Sequence, residues 1–357
     1  VKSLCASLLC LLLVAAPVHP ADPDAASNQA VDAAIGRGLA YLARLQNTDG
    51  SFDGGGRRPD GSPDQPGPRM AMTGLSLIAF LSAGHTPDLG RYGLNTRAAL
   101  DYLLEEFPED GYAGRADGSR MYGQAIVTLA LAQVHGVEGD AAQRQGVRAA
   151  IDKAVRIILQ AQQAKKNPGH EGGWRYDLQS ADSDLSVTAW CIAALRAARD
   201  AGVEVPDSAL EAACAYVLRC QHARDNGFAY QPNGSASATM TAAALLCIPQ
   251  DSPQARSATE YLAGALPRDQ PRFPYYAAYY AAHTAQRVGG ELWTRTWADT
   301  VARLLPMQQR DGGWPASSNS QEPGRVYATA MAVLTLSVPS GVLPMQQSSP
   351  TPHADRP

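Results

Sequence analysis

Residues able to do chemistry cluster in two places. Asp182-Ser183-Asp184-Leu185 sets two carboxylates two positions apart, just before the apolar run Val187-Thr188-Ala189-Trp190. Two close carboxylates inside a pocket push one pKa upward, and a carboxyl that stays protonated can donate its proton. On a helix continuing from there, Asp184, Thr188 and Cys191 share one face. The same acids also suit a plain N-cap, where a short polar side chain and a negative charge stabilise a helix start. The second cluster is Tyr275-Tyr276-Ala277-Ala278-Tyr279-Tyr280-Ala281-Ala282-His283. Tyr276, Tyr280 and His283 follow i, i+4, i+7 spacing and share a face. They could offer hydroxyls and an imidazole to a ligand, or simply fill space around a histidine without a partner. His170-Glu171 is a sparse metal or acid–base signal, and nearby Arg175 and Asp177 read equally as an ion pair fixing a corner.

Composition narrows the chemistry. The chain has 357 residues, 30 Lys+Arg against 34 Asp+Glu, and a net charge of -4 without a basic run. That balance argues against nucleic acid as a partner. Lysine occurs only at Lys2, Lys153, Lys165 and Lys166, leaving few candidates for a Schiff base. Lys2 followed by the apolar run Leu8–Ala16 reads as a signal peptide over residues 1–21, so export to a periplasmic or extracellular location is expected. No later apolar stretch reaches the length of a membrane span. Of the cysteines outside that segment, Cys191, Cys214, Cys220 and Cys247 lie in Ala/Leu-rich helical stretches and read as small buried hydrophobes. Cys191–Cys247 is the one pairing to test. No CxxC or paired histidines suggest zinc, and no cofactor is expected.

The elements that must position these residues are repeated. An apolar pair on a helix, a glutamine, then glycine and an aromatic recur six times at intervals of roughly 40 to 60 residues. The copies are Tyr41-Leu42…Gln46…Gly50-Ser51-Phe52, Tyr102-Leu103…Gly111-Tyr112 with Phe107 where Gln would be, and Ile157-Ile158…Gln162…Gly172-Gly173-Trp174. Tyr216-Val217…Gln221…Gly227-Phe228 follows, then Tyr261-Leu262…Phe273 without Gln or Gly, and finally Leu304…Gln308…Gly312-Gly313-Trp314. Glycine permits the positive φ that ends the first helix, and the aromatic fills the wedge between hairpins. Between copies lie more apolar helices, beginning near Met72, Tyr122, Ser186, Met240, Tyr275 and Tyr327. Helices bearing the glutamine carry charge on one face and should lie outside, while the apolar ones should lie inside. The expected architecture is an all-α, α/α toroid of about six outer/inner hairpins over residues 22–340, without strands. Gly54 to Arg69 should be a long loop, and 341–357 a Pro/Ser-rich tail.

Arg37-Gly38-x-x-Tyr41-Leu42-x-x-x-Gln46-x-x-x-Gly50-x-Phe52 resembles the QW repeat of squalene–hopene and oxidosqualene cyclases, with Phe for Trp. Gln308-x-x-x-Gly312-x-Trp314 matches its last half. The resemblance to prenyltransferase/squalene-oxidase repeat proteins covers about residues 29–340 and implies the terpenoid cyclase/protein prenyltransferase toroid fold. Asp182-Ser183-Asp184-Leu185 resembles the cyclase Asp-x-Asp-Asp motif with Leu in last place. On that resemblance Asp184 would be the general acid of a class II cyclase-like isomerase and Asp182 its neighbour. The chain departs from the family in other respects: it has length for one toroid where the cyclases use two. It also lacks the prenyltransferase zinc set and the Gly-Cys-Gly-Glu-Gln thioester sequence. Two functions stay open: a cavity binding an apolar, isoprenoid or lipid-like molecule through Tyr122, Thr188, Trp190, Tyr276, Tyr280 and His283, or an inert scaffold for a protein partner. A carbohydrate-active toroid is a distant third.

Overall fold

The computed structural model describes residues 23–53, 68–268, 271–317 and 322–341. The signal-peptide segment, most of the Gly54–Arg69 loop and nearly all of the tail lie outside the described residues. Helices α1 (Pro23–Leu45), α2 (Arg69–Ser82) and α3 (Gly93–Glu105) precede the one-turn α4 (Ala113–Ala116) and α5 (Arg120–Val134). Then come α6 (Ala141–Gln162), α7 (Leu185–Asp200), α8 (Asp207–Arg219), α9 (Ala238–Cys247) and α10 (Pro253–Ala265). The chain finishes with α11 (Pro274–Val288), α12 (Gly290–Met307) and α13 (Gly324–Leu336).

Apolar residues ring α2, α5 and α13 on every side, and these helices are buried along almost their whole length. The outer helices bury a single stripe, which on α12 consists of Thr296, Thr300 and Leu304. Contacts close a ring of inner helices in the order α2, α5, α7, α9, α11, α13 and back to α2. Outside them stand α1, α3, α6, α8, α10 and α12, each paired with an inner neighbour. This is the α/α toroid read from the repeats. One detail differs: β1 (Phe228–Ala229) pairs antiparallel with β2 (Ala236–Ser237), where no strand was expected. The short ladder forms because the fourth corner doubles back on itself before α9.

The repeated motif is a joint between consecutive outer helices. Gln162 Nε2 donates to Gly172 O at 2.7 Å in its own corner and to Ala209 O at 2.8 Å on the next outer helix. Gln46 does the same to Gly50 and Asn95, both at 2.9 Å. Gln308 bonds Gly312 and Ala34, both at 2.8 Å, and so joins the last outer helix to the first. Arg37 reinforces that closure by donating Nε to Gln308 Oε1 at 3.0 Å. Gly172 and Gly312 hold positive φ, and a Cβ at either would collide with the Ala212 or Arg37 carbonyl of the next outer helix. The aromatics Phe52, Trp174, Phe228 and Trp314 are fully buried. Their amides donate to Thr73, Thr188, Thr241 and Thr329 on the inner helices at 2.8–3.0 Å.

Two copies depart. In the second, Phe107 replaces the outer glutamine, and Gln124 reaches out from α5 to bond Gly111 O at 2.9 Å and Ala154 O at 3.2 Å. In the fifth, no glutamine bridges α10 to α12 among the described residues, and a cleft of about 140 Å³ lies between α11 and α12 beside Leu266 and Pro271. The four cysteines are free thiols, so Cys191 and Cys247 form no bridge, and Cys191, Cys220 and Cys247 are buried.

Removing a joint should weaken the ring in proportion to its burial. Gln308→Ala strands two carbonyls and the Arg37 guanidinium, and should lower stability by about 1–3 kcal/mol in urea unfolding. Gln221→Ala, whose bonds to the Asn226 and Gln254 carbonyls are exposed and 3.0 and 3.4 Å long, should cost less. Equal, negligible losses would contradict a joint made by the glutamine amide.

Candidate functional site

Asp184 sits at the N-terminal end of α7, on the rim of the inner barrel. Its Oδ1 accepts from the Val187 amide at 2.8 Å, the N-cap bond expected of this residue type. Its own amide donates to Trp174 O at 2.8 Å, and the Leu185 amide donates to Tyr230 O at 2.8 Å. The Met121 amide at the start of α5 donates to Tyr176 O at 2.9 Å. The third and fourth corners are thereby tied to the mouth formed by α5 and α7.

Arg175, immediately after the corner tryptophan, organises this mouth. Its Nε lies 3.6 Å from Asp184 Oδ2 and its Nη1 3.4 Å from Asp182 Oδ2. Its guanidinium covers the Tyr176 ring at 4.7 Å and the Tyr230 ring at 5.5 Å, and those two hydroxyls hydrogen-bond each other at 2.7 Å. Asp184 Oδ2 and Arg175 Nη1 are both buried without a hydrogen bond. Burial pushes the Asp184 carboxyl up to about 6, against the opposing pull of the Val187 amide and the Arg175 charge. The neighbouring carboxylate is not the cause: Asp182 is 41% exposed and Arg175 pairs with both acids. The expected Arg175–Asp177 pair is also replaced, because Asp177 faces Arg120 at 3.5 Å.

The repeat itself marks Asp184 as an exception. Four residues before each corner-binding threonine stand Arg69, Asp184, Ser237 and Arg325. Arg69 and Arg325 pair with Asp49 and Asp311, each at 2.8 Å, and those acids are 47% and 44% exposed. The third copy puts an acid at the helix start instead, buries it completely, at 0%, and pairs it with Arg175 just after the corner tryptophan. Arg175, Tyr176 and Tyr230 were absent from the sequence-derived site. Aligning the copies on Thr73, Thr188, Thr241 and Thr329, which needs no structure, would have set Asp184 against Arg69 and Arg325.

The other expected residues face inward rather than toward an open cavity. Tyr122 on α5 donates to Ser186 Oγ on α7 at 2.6 Å, and Ser186 in turn bonds the Tyr276 hydroxyl on α11 at 2.5 Å. Since α7 and α11 are not neighbours in the ring, that chain crosses the barrel interior. Deeper in, Trp190 on α7 stacks on Tyr279 of α11 at 5.7 Å. Tyr280 packs edge-on against Tyr276 at 4.8 Å, and His283 lies 4.3 Å from the Tyr279 ring. Burial pushes His283 down to about 3, so it is neutral near pH 7, and its Nε2 makes no hydrogen bond. Thr188 is committed to the Trp174 amide, the same duty its counterparts perform in other copies. His170 Nδ1 accepts from the Ser183 amide at 3.0 Å and Glu171 accepts from the Gly169 amide at 2.9 Å, so this pair locks a corner. Among the described residues no cluster of His, Cys, Asp and Glu could hold a metal ion.

Residues 36–263 match the model of the prenyltransferase alpha-alpha toroid domain. No curated protein matches the chain. Among solved structures, the α-1,6-mannanase of Salegentibacter sp. HEL1_6 superposes with a TM-score of 0.62 at 7% identity, covering 87% of this chain and 99% of that one. The cellobiose 2-epimerase of Spirochaeta thermophila gives 0.61 at 16% identity, covering 87% and 97%. The type II terpene cyclase MstE of Scytonema gives 0.37 at 13% identity, covering 88% and 99%. At these identities the likenesses concern the fold.

Asp184 should leave a signature in the pH dependence of stability. An acid whose pKa rises from 3.8 to about 6 on folding binds more protons folded than unfolded between those values. Its ionisation therefore costs stability as pH rises through that window, by about 3 kcal/mol in all. Asn is as good an N-cap as Asp and does not titrate. Wild type should thus lose stability relative to Asp184→Asn between pH 4 and pH 7, read from urea midpoints. A pH-independent difference would show that the carboxyl has an ordinary pKa.

Proposed function

The chain belongs to the prenyltransferase alpha-alpha toroid family, and from that premise we propose that it is an exported enzyme using the barrel mouth for acid–base chemistry on a hydroxyl-rich, saccharide-class ligand. Asp184 serves as the general acid and base, and Arg175 binds a ligand oxygen. The observation carrying this reading is the buried Asp184 carboxyl, whose Oδ2 makes no hydrogen bond and lies 3.6 Å from Arg175 Nε, with Arg175 Nη1 held 3.4 Å from Asp182. A carboxyl with a pKa near 6 is a mild acid, suited to exchanging protons with oxygen atoms near neutral pH. Tyr176, Tyr230 and Gln231 add hydroxyl and amide groups, with Gln231 Nε2 3.2 Å from Asp182 Oδ2. Such a polar, ring-bearing rim suits a sugar, whose faces stack on aromatics and whose hydroxyls need charged partners.

The isoprenoid-cavity reading has less support, because the aromatic side chains that would line a cavity bridge the barrel instead. An alkene is also a far poorer proton acceptor than an oxygen atom for an acid this mild. The scaffold reading draws on a specific observation: Asp184 caps α7 while its ion pair repeats, with charges exchanged, the pairs at Arg69 and Arg325.

A panel of α- and β-linked gluco- and manno-oligosaccharides, with prenyl diphosphates as the contrasting set, separates the readings. Turnover of a saccharide should fall by about 10²–10⁴ in Asp184→Asn while binding by calorimetry persists. Saccharide turnover unaffected by that substitution would remove Asp184 from catalysis. Binding of prenyl chains alone would return the site to the isoprenoid reading, and an inert, folded protein would support the scaffold.

A further inference from the structure

A proton held on Asp184 has no direct way to a ligand in this fold. The side chain is 0% exposed. Its Oδ1 is committed to the Val187 amide at 2.8 Å, while Oδ2 makes no hydrogen bond. The groups that bear most on the carboxyl are the Val187 and Ser186 amides, the Arg175 guanidinium and the Tyr230 hydroxyl. An amide N–H and a guanidinium keep their protons near neutral pH. The phenol differs, because one hydroxyl both donates and accepts. It can take a proton on its oxygen while releasing its own on the other side.

The Tyr230 hydroxyl already has a second partner. It hydrogen-bonds the Tyr176 hydroxyl at 2.7 Å, and both tyrosines are half-buried where Asp184 is sealed. Their backbones are pinned in the same way. The Tyr230 carbonyl accepts from the Leu185 amide at 2.8 Å, and the Tyr176 carbonyl accepts from the Met121 amide at 2.9 Å, so each residue is fixed to the start of an inner helix. Arg175 lies over the two rings at 5.5 and 4.7 Å while its Nε stays 3.6 Å from Asp184 Oδ2. One guanidinium thus gathers the acid and both phenols into a single cluster, although the phenols come from different corners. Tyr122 stacks on the Tyr176 ring at 6.0 Å, but its own hydroxyl is spent on Ser186. Burial, followed by the Asp184 charge, pushes the Tyr230 phenol far above its ordinary range, so it stays neutral and can only hand a proton on.

Resting on the acid–base reading above, we infer that Tyr230 and Tyr176 carry the proton between Asp184 and the ligand, with the Tyr176 hydroxyl as the catalytic group that touches it. The Asp184 proton passes to the Tyr230 oxygen, the Tyr230 proton to the Tyr176 oxygen, and the Tyr176 proton to an oxygen of the ligand. Each tyrosine gains one proton and loses one. The ligand oxygen gains the proton that Asp184 gives up, and the carboxylate left behind faces Arg175. Deprotonation of a ligand hydroxyl runs the same chain backwards. Arg175 is the positioning residue of the relay.

Tyr176→Phe and Tyr230→Phe each keep the ring under Arg175 and remove one hydroxyl. With a saccharide that the full chain turns over, each should lower kcat about 10²-fold. KM should stay within about twofold, and the urea midpoint should hold. Adding Asp184→Asn to either should cost nothing further, because the links of one chain fail together. Replacing Tyr176 by 3-fluorotyrosine keeps ring and hydroxyl and changes chiefly the acidity, so kcat should shift about threefold at constant KM. That variant decides the matter where a phenylalanine variant does not fold. Wild-type turnover in Tyr176→Phe and Tyr230→Phe, beside a loss in Asp184→Asn, overturns the relay and leaves Asp184 as a direct acid. Losses that multiply in the double variants overturn it too, as does an unchanged kcat with 3-fluorotyrosine. A panel in which no saccharide is turned over overturns the relay together with the acid–base reading.

Discussion

A backbone carbonyl shielded from water needs a donor, and this ring depends on meeting that need twice with a single side chain. Each corner glutamine presents two N–H groups, one for its own corner and one for the neighbouring outer helix. The bond is directional, so it sets the angle between successive hairpins rather than merely holding them together. Six hairpins joined at a constant angle must either close or spiral. Here the last joint lands on Ala34 and Arg37, and the ring closes. The buried aromatics then occupy wedges whose size the joints have already set.

Much of this was legible in the amino-acid sequence because it is periodic. Copies of Gln, Gly and an aromatic announce a corner, and apolar residues on all sides of a helix announce an interior position. Where a copy was degenerate the sequence was silent. Nothing local marks Gln124 as the replacement for Phe107, since Gln124 reaches the Gly111 and Ala154 carbonyls only once α5 packs inside α6. The β1–β2 ladder is likewise a product of a corner folding back, not of strand-like alternation.

The site was half legible. Asp184 was visible both as a cap and as an acid, and it is the first and has the burial required for the second. The spacing of Asp182 and Asp184 suggested mutual repulsion, but Arg175 comes between them, and solvent exclusion alone lifts the pKa. Tyr122, Tyr276 and Trp190 were read as a lining. Tyr276 and Trp190 find their partners across the barrel, between α7 and α11, and no one-dimensional pattern reports a contact between helices that are two places apart in a ring.

Closure through Gln308 and Ala34 has a topological consequence. Because the junction of last and first hairpins uses the same bonds as the covalently linked ones, the ring has no physical beginning. The chain ends could be relocated to another corner, with α13 tethered to α1, and every hairpin would keep both neighbours. Evolution by unequal duplication of hairpins is subject to the same geometry: an added unit would open the circle, and only a whole circuit returns the last glutamine to the first helix.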